Sequence, residues 1–349
     1  MEIGGHYQAI NLHKVYGLLI LALAMLCQVI VARADTQTDP GINLALAPVY
    51  PQNQLMKNNI FDVHVVPRQR QKLTLKVINL ANREQTIKVI PRTAYTNDAG
   101  IISLDRQRIP ADKTLKQPFS HLVVEKSQRR KLTPRKVQYL TFTVKVPKRR
   151  FEGVVVGGFY VQVLAKKGHD RHKGITINNR FAYAMPVVLK EQQQTARPKL
   201  RLGSIKKPSK LRQKIVVKSV LHNLRPAIIS GMKIDSTINR KKDGKKVGQT
   251  HVKNYEMAPN SNFSFTNHWQ NKSILPGTYR LRIDAKAVNG RWHLERDFHI
   301  TWRDSLGYYN QAHPSVKYIL LGLLLLLLLL IIVLVYRRRQ REQSGNRQG

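Results

Sequence analysis

Between residues 35 and 310 the chain is built from short runs in which apolar and polar residues alternate one for one. Lys72 to Asn79, Gln85 to Pro91 and Val137 to Val146 each place Leu, Val, Ile or Phe on one face and Lys, Thr, Gln or Asn on the other. A period of two is the repeat of a half-buried strand, since successive side chains point to opposite faces of a sheet. No long segment here carries the 3.6-residue repeat of a helix. Asn, Pro and Gly punctuate the runs, so the expected class is all-β, with antiparallel sandwiches of the immunoglobulin-like kind.

A first domain is drawn over residues 41–191, closing with a strand from Thr176 to Leu189 and a polar linker from Glu191 to Pro198. The second, 192–312, carries seven expected strands: Leu200 to Lys206, Lys214 to Asn223, Met232 to Asn239, Gln249 to Tyr255, Asn262 to Thr266, Gly277 to Ala287 and Trp292 to Trp302. One stretch breaks the rhythm. Thr96 to Arg135 reads as a long loop with Pro110, Pro118 and Pro134, two short strands and a basic knot at Arg129, Arg130 and Lys131. Loops of this length in a compact domain are functional or disordered, and the apolar island Pro118 to Val124 implies that this one folds back on the sandwich.

The two ends have a different pattern. A polar stretch ending at Lys14, an apolar run from Gly17 to Val31 and the triplet Ala32-Arg33-Ala34 have the layout of a signal peptide, 1–34. Tyr318 to Tyr336 is uncharged and almost wholly Leu, Ile and Val, and it is followed by Arg337, Arg338, Arg339 and Arg341. Nineteen helical residues at about 1.5 Å each span roughly 28 Å. A transmembrane helix at 318–336 with a basic cytoplasmic tail at 337–349 is therefore expected. The full expectation is two tandem immunoglobulin-like β-sandwich domains followed by one C-terminal transmembrane α-helix, with the N-terminal domains extracellular and the membrane held through one span.

Charge and cysteine narrow the picture. Lys and Arg number 60 against 20 Asp and Glu, a formal +40. The signal (Lys14 and Arg33 against Glu2) accounts for +1 and the tail (five Arg against Glu342) for +4, so +35 stays with the segment between them. Such a surface ordinarily suggests nucleic acid, but the expected export points instead to anionic wall polymers and not to nucleic acid. Cys27, the only cysteine, lies in the signal segment, so stability has to come from packed cores and not from disulfides.

Specific residues then carry a resemblance. Pro51-Gln52-Asn53-Gln54, Phe61-Asp62, Val77-Ile78-Asn79, Ala94-Tyr95-Thr96-Asn97, Pro118-Phe119-Ser120, Phe151-Glu152-Gly153 and Gly157-Gly158-Phe159-Tyr160 occur in this order. Their order and spacing resemble the peptidoglycan-binding domain of the WxL-interacting proteins of Gram-positive bacteria. Asn179-Arg180-Phe181-Ala182-Tyr183, Asn223-Leu224-Arg225-Pro226-Ala227, Met257 to Asn262 and Pro276 to Tyr279 resemble the host-binding domain of the same family. The resemblance implies a cell-surface protein that attaches to peptidoglycan and associates with WxL-domain proteins, with host extracellular matrix as a further partner.

Within the resemblance the candidate peptidoglycan contacts are Pro51, Gln52, Asn53, Gln54, Gly157, Gly158 and Tyr160. Amide side chains suit sugar hydroxyls and peptide stems, while the glycine pair beside an aromatic ring suits a saccharide groove. The alternatives are a turn bonding its own backbone and a strand that glycine relieves of crowding. Ala258, Pro259, Asn260 and Ser261 are the candidate protein-partner contacts. His169-Asp170-Arg171-His172 reads as a hairpin loop, since Lys166, Lys167 and Lys173 would repel a metal ion, and Trp292-His293-Leu294 reads as core. No metal or other cofactor is expected.

No Gly-x-Ser-x-Gly elbow, phosphate-cradling glycine loop or His-Glu-x-x-His occurs. Glu125, Glu152 and Asp62 show no pairing as acid and base, so a binding protein and not an enzyme is expected. The alternative is a chaperone-like assembly factor that caps exposed sheet edges of exported subunits. An apolar groove between the domains would favour that alternative; a polar groove with an aromatic floor on the first domain would favour wall binding.

Overall fold

The computed structural model describes residues 43–109, 111–164, 182–192, 196–212, 214–271, 273–306 and 314–345. In chain order the first lobe contains β1 (Leu44–Val49), β2 (Phe61–His64), β3 (Arg70–Asn79), β4 (Gln85–Thr93), β5 (Tyr95–Thr96), β6 (Ile102–Ser103), the short helix α1 (Phe119–Leu122), β7 (Gln128–Leu132), β8 (Val137–Lys145), β9 (Val154–Leu164) and β10 (Ala182–Lys190). One sheet runs β1-β3-β8 and the facing one β2-β10-β9-β4-β7. Every pairing is antiparallel except that of β2 with β10. The alternation read in the sequence is the alternation of burial: along β3, Leu73, Leu75 and Val77 are wholly covered while Lys72, Thr74 and Lys76 face outward.

Phe159 lies at the centre of the first core. Its ring stands edge-on to Phe61 (6.3 Å between centroids) and to Phe119 (6.0 Å), and stacks on Phe142 at 4.5 Å. These partners come from β2, α1 and β8, so one side chain joins both sheets and the long loop. That loop contributes β5, β6, α1 and β7, the last pairing with β4 at the sheet edge. The apolar island does fold back: Phe119 and Val123 belong to the core.

The second lobe contains β11 (Leu200–Ile205), β12 (Ser209–Leu211), β13 (Lys214–Asn223), β14 (Ile229–Arg240), β15 (Lys246–Met257), β16 (Asn262–His268), β17 (Gly277–Ala287) and β18 (Gly290–Ile300). Here β13 pairs with β11, β12 and β16, facing a sheet ordered β15-β14-β17-β18. Ile234, Ile238, Leu281, Ile283, Phe263 and Phe265 fill the space between. All seven strands expected from periodicity are present, and β12 is an addition. Trp292 and Leu294 pack against this core.

The helix α2 runs Pro314–Gly345. Among the described residues no helix is long and apolar enough to cross a membrane. This corrects the expected single-pass placement with extracellular domains and a cytoplasmic tail. The expected signal segment, the His169–His172 hairpin and the residues Asn179 to Phe181 lie outside the described residues.

Residues 96–114 of the long loop reach across to the second lobe. The Thr96 hydroxyl meets Ser261 Oγ at 2.7 Å and accepts from Ala258 N at 3.0 Å; Glu256 N donates to Gly100 O at 2.7 Å. Ala94, Leu104, Val154, Val156, Val188 and Ala258 form a small apolar cluster of their own. Asp112, nearly covered, meets His222 Nδ1 at 2.5 Å. Burial alone would push the Asp112 carboxyl up, but the hydrogen bonds from His222 and from Thr114 outweigh it and hold the carboxyl below its ordinary value.

A carboxylate with a depressed folded-state pKa contributes stability that is present above its unfolded pKa, about 3.9, and is lost as pH falls through the folded value. Asp112→Asn is therefore expected to lower stability at pH 7 by about 1–3 kcal/mol. The deficit should begin to shrink below about pH 4, where the unfolded chain takes up the proton, and disappear only below the depressed native value. Thermal melts of both proteins at pH 7 and pH 3 test this, and a deficit of equal size at both would exclude the ionised carboxylate as its source.

Candidate functional site

Two clefts flank the long loop. The first, about 600 Å³, lies on the first lobe between β4 and the loop, where Arg92, Arg106, Gln107, His121 and Lys126 share the lining with Ile90, Ile109 and Leu115. The second, about 820 Å³, lies at the junction of the lobes and is lined by Lys113, Lys116, Arg149, Arg150 and Arg225, with Glu152 as its one carboxylate among the described residues. Arg225 stands 3.9 Å from that carboxylate. Both partners are well exposed, so the pair is worth little and the junction cleft keeps a strong positive field.

The first cleft has a fixed frame. Ser120 N donates to Thr93 Oγ1 at 3.0 Å, and the two hydroxyls meet at 2.9 Å, stapling α1 to the end of β4. The Arg106 guanidinium lies over the Tyr95 ring at 5.3 Å, and the Arg92 guanidinium lies 5.8 Å from the Tyr160 ring centroid. Tyr95 donates its hydroxyl hydrogen to Asp105 at 2.7 Å. Burial first, and then Asp105, push that hydroxyl up to about 12, so it remains a donor at neutral pH.

The structure separates the residues chosen from the sequence. Asn53 Nδ2 donates to Gln71 Oε1 at 2.7 Å and to His64 O, and His64 N donates to Asn53 O at 3.0 Å. Gln54 N closes a turn on Pro51 O at 3.0 Å, and Gln54 Nε2 donates to Met56 O and Ile60 O. The amides of Asn53 and Gln54 thus tie the entry to β2 in place, with Gln52 exposed beside them. Gly157 and Gly158 are covered. A Cβ on Gly157 would fall 2.3 Å from the Phe119 ring, and one on Gly158 would fall 2.4 Å from Met185 O. The glycine pair makes room for α1 and β10. Tyr160, half-buried on the same strand, is the member of the group that meets Arg92.

Of the four second-lobe candidates, Ala258 and Ser261 are buried against Thr96. Asn260 Nδ2 donates to Thr114 Oγ1 at 2.9 Å, and Pro259 and Asn260 line the junction cleft. The cations of both clefts come from a loop, a β4 end and two turns that only folding brings together, so no pattern in the sequence marks them as a group. The one advance signal was the length of the loop. Among the described residues no group of His, Cys, Asp and Glu could hold a metal ion.

Residues 45–163 match the family model described as WxL Interacting Protein, peptidoglycan binding domain, and residues 172–311 match WxL Interacting Protein, host binding domain. None of the curated proteins matches the chain. Among solved structures, the chain is similar to the Pseudomonas aeruginosa CupB2 chaperone at 14% identity, over 68% of this chain and 96% of that one, with a TM-score of 0.29. It is similar to the E. coli chaperone DraB at 12% identity, over 74% and 95%, with a TM-score of 0.28.

Proposed function

The chain belongs to the WxL-interacting protein family, and from that membership we propose a non-catalytic wall-binding protein whose first lobe holds peptidoglycan and whose second lobe associates with WxL-domain proteins and host matrix. The observation that carries the reading is the first-lobe cleft. All its lining residues, from Ile90 to Lys126, fall inside the stretch matching the peptidoglycan-binding model, and it gathers cationic side chains and the Gln107 amide, with two of its arginines held against the rings of Tyr95 and Tyr160. Clefts of this size with a few convergent polar groups on a rigid frame are the usual form of a small-ligand site. The groove between the lobes is cationic, which supports wall binding over the capping of apolar sheet edges.

Anionic wall polymers are the partner proposed for the junction cleft. The full chain is expected to sediment with purified peptidoglycan, whether or not covalently attached anionic polymers have been stripped from it. Only the extra binding to unstripped wall should be strongly salt-sensitive, because the Debye length falls from about 10 Å at 0.1 M salt to about 3 Å at 1 M. Failure to sediment with stripped peptidoglycan in low salt would sink the first-lobe assignment. A salt-independent extra fraction on unstripped wall would sink the electrostatic role of the junction cleft.

A further inference from the structure

Arg92 stands out in the first-lobe cleft. It is the penultimate residue of β4, only 8% exposed, and its Nε has no hydrogen-bond partner among the described residues. Buried charge is costly unless it is paired and hydrogen-bonded, and buried arginines are ordinarily engaged on their fork of donors. Burial lowers the Arg92 pKa, and the attractions of Tyr160 and Asp105 offset this only in part. Asp105 is the acceptor of the Tyr95 hydroxyl. Among the described residues no carboxylate lines the cleft. The guanidinium is held against Tyr160 while Arg106 is held against Tyr95, and Lys126 Nζ is anchored on Val123 O at 3.2 Å.

We propose that this cleft is an oxyanion site in which Arg92 receives a carboxylate of the peptidoglycan stem peptide. The inference rests on the first-lobe reading above and deepens it by naming the group recognised. A planar guanidinium fork matches either a carboxylate or a phosphate. The remaining lining decides between them: Ile90, Pro91, Ile109, Ala111, Leu115 and Pro118 form an apolar wall, which suits a carboxylate borne on short aliphatic residues better than a strongly hydrated phosphodiester. The stapling of Ser120 to Thr93 keeps the wall and the guanidinium in fixed relation, so little ordering is left for binding to oppose.

The test is calorimetric titration of the full chain with a soluble muropeptide bearing free stem carboxylates, with the same muropeptide amidated at those positions, and with inorganic phosphate. The acid form should bind at least about tenfold more tightly than the amide, the expected scale for a charge-assisted hydrogen-bond pair. Arg92→Gln should erase that difference, and Arg92→Lys should restore part of it. Equal binding of the acid and amide forms by the unaltered chain overturns the proposal without reference to any variant. Phosphate displacing the muropeptide at equal concentration overturns the assignment to carboxylate. If the full chain still sediments with stripped peptidoglycan while the acid and amide forms are indistinguishable, the first-lobe function stands and this inference alone fails; if nothing sediments, the function reading fails as well.

Discussion

Phe159→Ala should destabilise the protein by about 3–5 kcal/mol, the range for deleting a large aromatic from a closed core. Its ring is wholly covered and lies between Phe61, Phe119 and Phe142, so truncation removes three ring contacts as well as the transfer free energy of the side chain. Collapse around the void is opposed by β-sheets on both sides, which places the cost toward the upper part of that range. The effect should also be uneven. Phe119 is the one buried residue of α1, so amide exchange at Ser120, His121 and Val123 should accelerate more than exchange along β14 and β17 in the other lobe. Guanidinium denaturation and hydrogen exchange measure the two parts; a loss below about 1 kcal/mol would show that the aromatic cluster does not hold the core.

Gly153→Ala carries the second large effect, and its cause is different. Gly153 has φ +65°, a conformation costing an L residue about 1–2 kcal/mol. An added Cβ would sit 2.0 Å from Pro226 O, a backbone atom of the second lobe that also accepts from Val154 N at 2.8 Å. Backbone on both sides leaves no side chain to swing away, and the clash adds roughly 1–3 kcal/mol. About 3 kcal/mol in total, concentrated at the junction, should lower the melting temperature by roughly 6–12 °C and make the lobes unfold in separate steps. Gly244 supplies the control, since it has φ +69° with nothing within 4 Å of an added Cβ. Gly244→Ala should show the backbone cost alone; equal losses at the two sites would mean that the lobe contact at Pro226 is not strained.

Much of the chain's architecture was legible in its residues for a local reason. A strand with one covered face writes its own period of two, so Lys72 to Asn79 and Gly277 to Ala287 can be recognised without knowing their partners. Asn79 and Asn223 show what the family motifs mark. Asn79 is fully buried and donates to Arg83 O, Leu132 O and Thr133 O, while Asn223, also buried, donates to Ala227 O and Ala258 O. Both are knots at strand ends, and a sequence identifies such residues through family likeness before their bonds are known.

The site was less legible. Gly157 and Gly158 have the small size that suits a saccharide groove, yet α1 and β10 occupy the space they leave. The amide-rich turn offers donors, and its neighbours use several of them. Apolarity at residues 318–336 is plain in the sequence, but among the described residues no helix is long and apolar enough to cross a membrane. The sequence by itself determined the all-β class, the strand positions of the second lobe and several of those in the first, the basic excess and the family, because each depends on neighbouring residues, composition or ordered motifs. Only the tertiary structure decided that the long loop binds the lobes together and that Arg92 of β4 lies buried in the first-lobe cleft with no partner for its Nε among the described residues. Those facts depend on which distant residues meet, and periodicity carries no information about that.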